Sequence, residues 1–195
     1  MLIDRFLPRF DVTQVVEASV NAPPERTFAA IRDTDLHDPF VDALFALREL
    51  PQRLARWWRG EKAPPAAPKN KLTFSTITES TPGWTVLGEE PGRELVVGSV
   101  GRFWRQDYGW RPVKADEFTR FHEPGFAKLA IGFAVRPAPG GGAILRYEAR
   151  TTTTDPTAER TFRRYWRLIH PGVALIMGRV LRRIKLQAER ERERL

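Results

Sequence analysis

The stretch that decides the fold is residues 155–184, DPTAERTFRRYWRLIHPGVALIMGRVLRRI. Asp155 offers a side-chain oxygen to the first free N–H groups of a helix, and Pro156 suits the first helical position, where its missing N–H is no loss. Phe162, Trp166, Ile169, Val173, Ile176, Val180 and Ile184 then recur at steps of three and four, the spacing that gathers side chains on one helix face. This is the longest helix in the chain, and its apolar stripe needs a partner surface. Pro171-Gly172 predicts a kink or a broken turn near His170.

The partner is legible upstream. Leu145, Tyr147 and Ala149 share one face of a strand, and Leu129, Ile131, Phe133 and Val135 share one face of the strand before it. Pro137–Gly142 joins the two as a hairpin. Its Gly140-Gly141-Gly142 is read as a turn and not a phosphate loop, because a strand follows it, with no helix N-terminus and no Lys-Ser/Thr partner. Arg93–Gln106 reads as a long strand, interrupted at Gly98 and Gly101 by a bulge or bend that would curl the sheet. Pro91-Gly92 and Pro82-Gly83 mark turns, Trp84–Leu87 begins a strand, and alternation from Lys71 suggests another. Residues 62–70 are too rich in proline for helix or central strand and form a stiff connector. A helical pattern spans Phe40 to about Trp58, divided at Pro51, and a short helix is expected after Pro23-Pro24-Glu25. Asp11–Asn21 alternates as a half-buried strand, with Val12, Val16, Ala18 and Val20 on one side.

Length suits one domain over residues 1–195, with 186–195 as a charged C-terminal tail. Hydrophobic residues make up 42% of the chain, including 12 Phe and 6 Trp, which excludes a disordered chain of this charge. The absence of cysteine removes disulfides and thiol nucleophiles, and the charged N-terminus gives no export signal, so a cytoplasmic location is expected. Of the net charge of +8, residues 159–195 carry 11 Lys/Arg against 4 Asp/Glu, or +7. The preferred account is the solvated face of the last helix. It leaves open a weak contact with an anionic membrane surface, and no specific nucleic acid is expected.

Strand, two helices, an antiparallel meander and a long terminal helix give an α+β chain. In that order, and in the stretches Val20-Asn21-Ala22-Pro23-Pro24-Glu25-Arg26-Thr27-Phe28-Ala29-Ala30-Ile31 and Arg146-Tyr147-Glu148-Ala149-Arg150-Thr151, the sequence resembles the START-like, polyketide-cyclase/dehydrase superfamily. The resemblance implies the helix-grip fold: a curved antiparallel sheet, two short helices and one long C-terminal helix across the concave face. It also implies a cavity between sheet and helix. It implies no catalytic residue, since the superfamily uses one scaffold for lipid transfer, hormone sensing, cyclisation and chaperone regulation.

Aromatic side chains with a few polar tips are what a pocket for a hydrophobic or amphiphilic small molecule uses. Phe103, Trp104, Trp110, Phe121, Phe126, Phe133 and Tyr147 are the candidates on the sheet side, with Arg105 or the Tyr147 hydroxyl to orient a ligand oxygen. Trp166, Ile169, Val173 and Met177 supply the helix wall. A filled core is the equal alternative for the same residues. His37, His122 and His170 lie in no ligand spacing, so no metal or cofactor is expected. His122, Glu123, Asp107 and Tyr108 are the groups open to acid-base work in a cyclase or dehydratase alternative. A carrier or sensor is the first reading, and a surface-binding protein using the basic helix is the third. The oligomeric state is open.

Overall fold

The computed structural model describes residues 1–35, 73, 76, 83–105 and 107–190. The expected helix over 40–58, the 62–70 connector, the strand from Lys71 and His37 lie outside the described residues. In chain order the elements are α1 (Ile3–Phe6), β1 (Val12–Val20), α2 (Pro24–Asp33), β2 (Trp84–Glu90), β3 (Glu94–Gly101), α3 (Ala115–Phe118), β4 (Ala127–Pro137), β5 (Ala143–Thr153) and α4 (Pro156–Arg190).

The strands make one open antiparallel sheet in the order β1-β5-β4-β3-β2. Its register places Ser99, Leu129, Thr151 and Val12 in one row across four strands, and Leu95, Phe133, Tyr147 and Val16 in another. Because side chains alternate along a strand, these rows share a face, and α4 crosses that face with α2 packed beside it. Val97, Ile131, Phe133, Leu145, Tyr147, Met177, Leu181 and Ile184 form the core between sheet and helix.

Asp155 caps α4 through its Oδ1, which accepts the N–H groups of Thr157 at 2.8 Å and Ala158 at 3.0 Å. The broken turn expected near His170 is not there. α4 runs continuously through Pro171, which sits exposed on the helix surface. Proline has no N–H to offer the Arg167 carbonyl one turn back. Helix also claims Leu186–Arg190 of the expected tail.

Two strand expectations are corrected. β3 stops at Gly101 rather than reaching residue 106, because Arg102 N–H turns to bond the Tyr108 carbonyl at 2.6 Å and Arg111 N–H bonds the Val100 carbonyl at 3.0 Å. Gly98 is no bulge: it pairs in register with Thr85 and Ala130, and the irregularity lies in β2 between Val86 and Gly88. Gly98 serves close packing instead, since a Cβ there would lie 2.6 Å from Leu87 Cδ1 and 3.0 Å from Phe118 Cε2.

The other face of the sheet is also covered. Leu2, Ile3 and Leu7 around α1, with Phe118 of α3, pack on Leu87, Val96, Val100, Phe126 and Ala130. A charged network ties α1 down. The Arg150 guanidinium donates to Glu148 at 2.6 Å, to Asp4 at 2.7 Å and to the Leu7 carbonyl at 3.0 Å, while Arg146 donates to Glu148 at 2.8 Å and Glu17 at 3.1 Å.

Candidate functional site

Between the sheet and the N-terminal half of α4 lies a cavity of about 390 Å³. Its floor is the inward side of β4 and β5, with Leu129 and Ile131 from one strand and Tyr147, Ala149 and Thr151 from the other. α4 forms the roof with Phe162, Tyr165, Trp166, Ile169, Val173, Ile176 and Met177. The third wall comes from the β3–α3 loop. The backbone bonds that end β3 fold this loop back on itself, and the Asp107 carboxylate accepts the Gly109 N–H at 3.0 Å. Phe103, Tyr108 and Trp110 are thereby stacked together, with Tyr108 and Trp110 centroids 4.7 Å apart and Phe103 edge-on to Trp110 at 5.9 Å. Gly83, at φ +91°, leaves the room that Trp110 fills, since a Cβ there would lie 3.0 Å from its ring.

Seven of the twelve residues singled out from the sequence line the cavity: Phe103, Trp110, Tyr147, Trp166, Ile169, Val173 and Met177. The other five do not. Phe133 is buried beside it and stacks on Tyr147 at 4.5 Å, holding that ring in place. Trp104 packs edge-on against Phe162 at 6.2 Å, outside the lining. Arg105 is exposed and lies outside the lining. Phe121 and Phe126 meet edge to face at 5.7 Å on the opposite side of the sheet, where the Arg102 guanidinium covers Phe126. Their strand parity could not be read, because residues 108–123 contain no strand at all.

Trp84, Tyr108, Leu129, Ile131, Ala149, Thr151, Phe162, Tyr165 and Ile176 also line the cavity. For most of these the signal was present: Leu129 and Ile131 alternate with Phe133, Ala149 and Thr151 follow Tyr147, and Phe162 and Ile176 belong to the α4 stripe. Trp84 is brought in only by its pairing with Ser99.

The polar groups of the cavity are hydroxyls and indole N–H groups; among the described residues no charged side chain lines it. Burial raises the Tyr147 hydroxyl well above the ordinary tyrosine range, so it stays protonated. His122, Glu123 and Asp107 are exposed and outside the cavity. His122 Nδ1 lies 2.7 Å from the Arg120 carbonyl, Glu123 pairs with Arg111 at 3.0 Å, and His170 Nε2 sits 2.7 Å from Gln14 Oε1.

Among the described residues, a five-stranded antiparallel sheet with a long C-terminal helix across one face and an apolar cavity between them defines an α+β protein of the helix-grip class. No family model matches the chain, and no curated protein matches it. Solved structures similar to it include a protein from Mesorhizobium loti, with 16% identity over 92% of this chain and 98% of that one and a TM-score of 0.41. A protein from Rhizobium leguminosarum shows 14% identity over 92% and 95%, TM-score 0.42. An AHSA1-like protein from Rhizobium etli shows 17% identity over 87% and 79%, TM-score 0.32. The fold assignment rests on the topology itself. Among the described residues, no helix is long and apolar enough to cross a membrane.

Proposed function

We propose that this protein binds a hydrophobic or amphiphilic small molecule in the cavity between β4, β5 and α4, as a carrier or sensor. The observation that carries this reading is the cavity itself, about 390 Å³ with walls of aromatic and aliphatic side chains, within the size range of small-molecule sites. Binding is favoured over cyclase or dehydratase chemistry because the described lining carries no carboxylate, imidazole or amine to act as a general base. Native mass spectrometry of freshly isolated protein tests the reading. A copurified adduct absent from an Ala149→Trp variant, whose new side chain projects into the cavity, is the expected result. Equal adduct in both proteins, or no uptake of added lipophilic compounds by either, would overturn it.

A second reading, contact with an anionic membrane surface, is favoured by the outward face of α4. Leu168 is 81% exposed, and Leu175 and Leu186 are also exposed. Their spacings of seven and eleven residues keep all three on one line of the helix, beside the exposed Arg164 and Arg182. Cosedimentation with phosphatidylserine vesicles that is lost in a Leu168→Asp/Leu175→Asp variant supports it, and unchanged cosedimentation refutes it.

A further inference from the structure

Two hydroxyls at the cavity have no partner among the described residues. Tyr147 and Thr151 are 7% and 5% exposed, both line the cavity, and neither side-chain oxygen hydrogen-bonds to a described residue. The Tyr147 and Thr151 side chains line the cavity, so a bound molecule that displaces water from their hydroxyls must offer hydrogen-bonding atoms or leave them unsatisfied. Four residues apart on β5, Tyr147 and Thr151 stand at Cα positions separated by about 13 Å, with only the small Ala149 between them on that face. The stacked Phe133 ring keeps Tyr147 from turning away. The described lining carries no Lys, Arg or His to pair an anion and no Asp or Glu to pair a cation.

We propose that the cavity selects an uncharged ligand bearing two separated oxygen functions, one bonded by the Tyr147 hydroxyl and the other by the Thr151 hydroxyl, and that it rejects carboxylates of the same shape. This rests on the binding reading above and adds its chemical class and its specificity residues. An ionised carboxylate entering such a wall would lose its hydration with no cation to replace it, a cost larger than one hydrogen bond returns.

Three naphthalenes of similar size test the proposal by quenching of tryptophan emission at pH 7: 6-acetyl-2-naphthol, 6-hydroxy-2-naphthoate and 2-ethylnaphthalene. Trp84, Trp110 and Trp166 line the cavity and report entry. Against the wild-type chain, the naphthoate is expected to bind at least about 100-fold more weakly than the acetyl compound. Tyr147→Phe and Thr151→Val, which preserve ring and shape, should each weaken the acetyl compound about three- to tenfold and leave 2-ethylnaphthalene unchanged. Unchanged 2-ethylnaphthalene binding also shows that each variant retains the cavity. Naphthoate binding within about threefold of the acetyl compound would overturn the selection for neutral ligands. Variants that bind the acetyl compound as wild type does would overturn the two hydroxyl assignments while leaving the cavity reading intact. Failure of all three compounds to bind would instead remove the cavity reading, and this proposal with it.

Discussion

Replacing Arg150 by Met should be among the most destabilising single changes on the face of the sheet opposite α4. The Arg150 side chain is 9% exposed and Glu148 is 3% exposed, so their contact at 2.6 Å is a buried ion pair. Breaking such a pair by removing one partner costs about 3–5 kcal/mol, because the remaining charge stays buried. Arg150→Met belongs at the lower end, about 3 kcal/mol, since Glu148 keeps Arg146 at 2.8 Å and Asp4 keeps the amino terminus at 2.9 Å. Glu148→Gln belongs at the upper end, since it strips Arg146 and Arg150 of a common carboxylate. The double variant should fall short of the sum by roughly 1–3 kcal/mol, the coupling expected of residues in one network. Asp4→Asn, at a half-exposed side chain, should cost under about 1 kcal/mol. Urea unfolding measures each term, and for a chain of 195 residues the Arg150→Met value corresponds to a Tm lower by about 6–12 °C. A loss below about 1 kcal/mol for Arg150→Met, or strict additivity with Glu148→Gln, would refute the view that this network is buried and coupled.

Bonds from the amino terminus and Arg150 hold the Asp4 carboxyl below the usual carboxylate range, and N–H groups of Ala158 and Gly125 do the same for Asp155. A carboxyl with a lowered folded pKa contributes stability above its unfolded value, near pH 4, that is lost as pH falls through the folded value. Tm should therefore hold from neutrality to about pH 5 and fall below about pH 4, with a shallower fall in Asp4→Asn/Asp155→Asn, as calorimetry would read. Pro171→Ala should stabilise the chain by roughly 1–3 kcal/mol by restoring the bond to the Arg167 carbonyl within an unbroken helix, and a lower Tm would contradict that helix. Gly142→Ala should destabilise far more than Gly140→Ala in urea titrations. Both glycines have positive φ, but a Cβ at Gly142 would lie 2.5 Å from the Val20 carbonyl oxygen, whereas nothing lies within 4 Å at Gly140. Equal costs would contradict the close approach of hairpin and β1.

The elements that the sequence announced best are those with unbroken periodicity and chemical boundaries. β4, β5 and α4 each carry a long run of same-face apolar residues, ended by a glycine turn or begun by an Asp-Pro cap, and each forms where expected, α4 without the break expected near His170. Two of the expectations that failed share one cause. Gly98 and Pro171 are residues of breaking propensity, yet Gly98 stays in the ladder because Leu87 and Phe118 need its space, and Pro171 stays in the helix because core packing on both sides of it outweighs one missing bond. α1 was not foreseen. Four residues long, it has no periodicity to read, and it is held by Arg150, Glu94 and the pocket opened by Gly132.

For the candidate site the division is similar. Strand alternation and the helical stripe by themselves determined which residues of β4, β5 and α4 face each other, and so put Tyr147, Trp166, Ile169, Val173 and Met177 on the cavity walls. Only the tertiary structure decided which aromatics between Gly101 and Phe126 join them. That segment has no repeating period, and its path is set by backbone bonds from Arg102 and Arg111 back to residues near them in space. Those bonds send Phe103 and Trp110 into the cavity and leave Phe121 and Phe126 on the far side of the sheet. Local propensity can state a side chain's direction only where a regular element supplies it; in a loop, direction follows from long-range bonds that the sequence does not display.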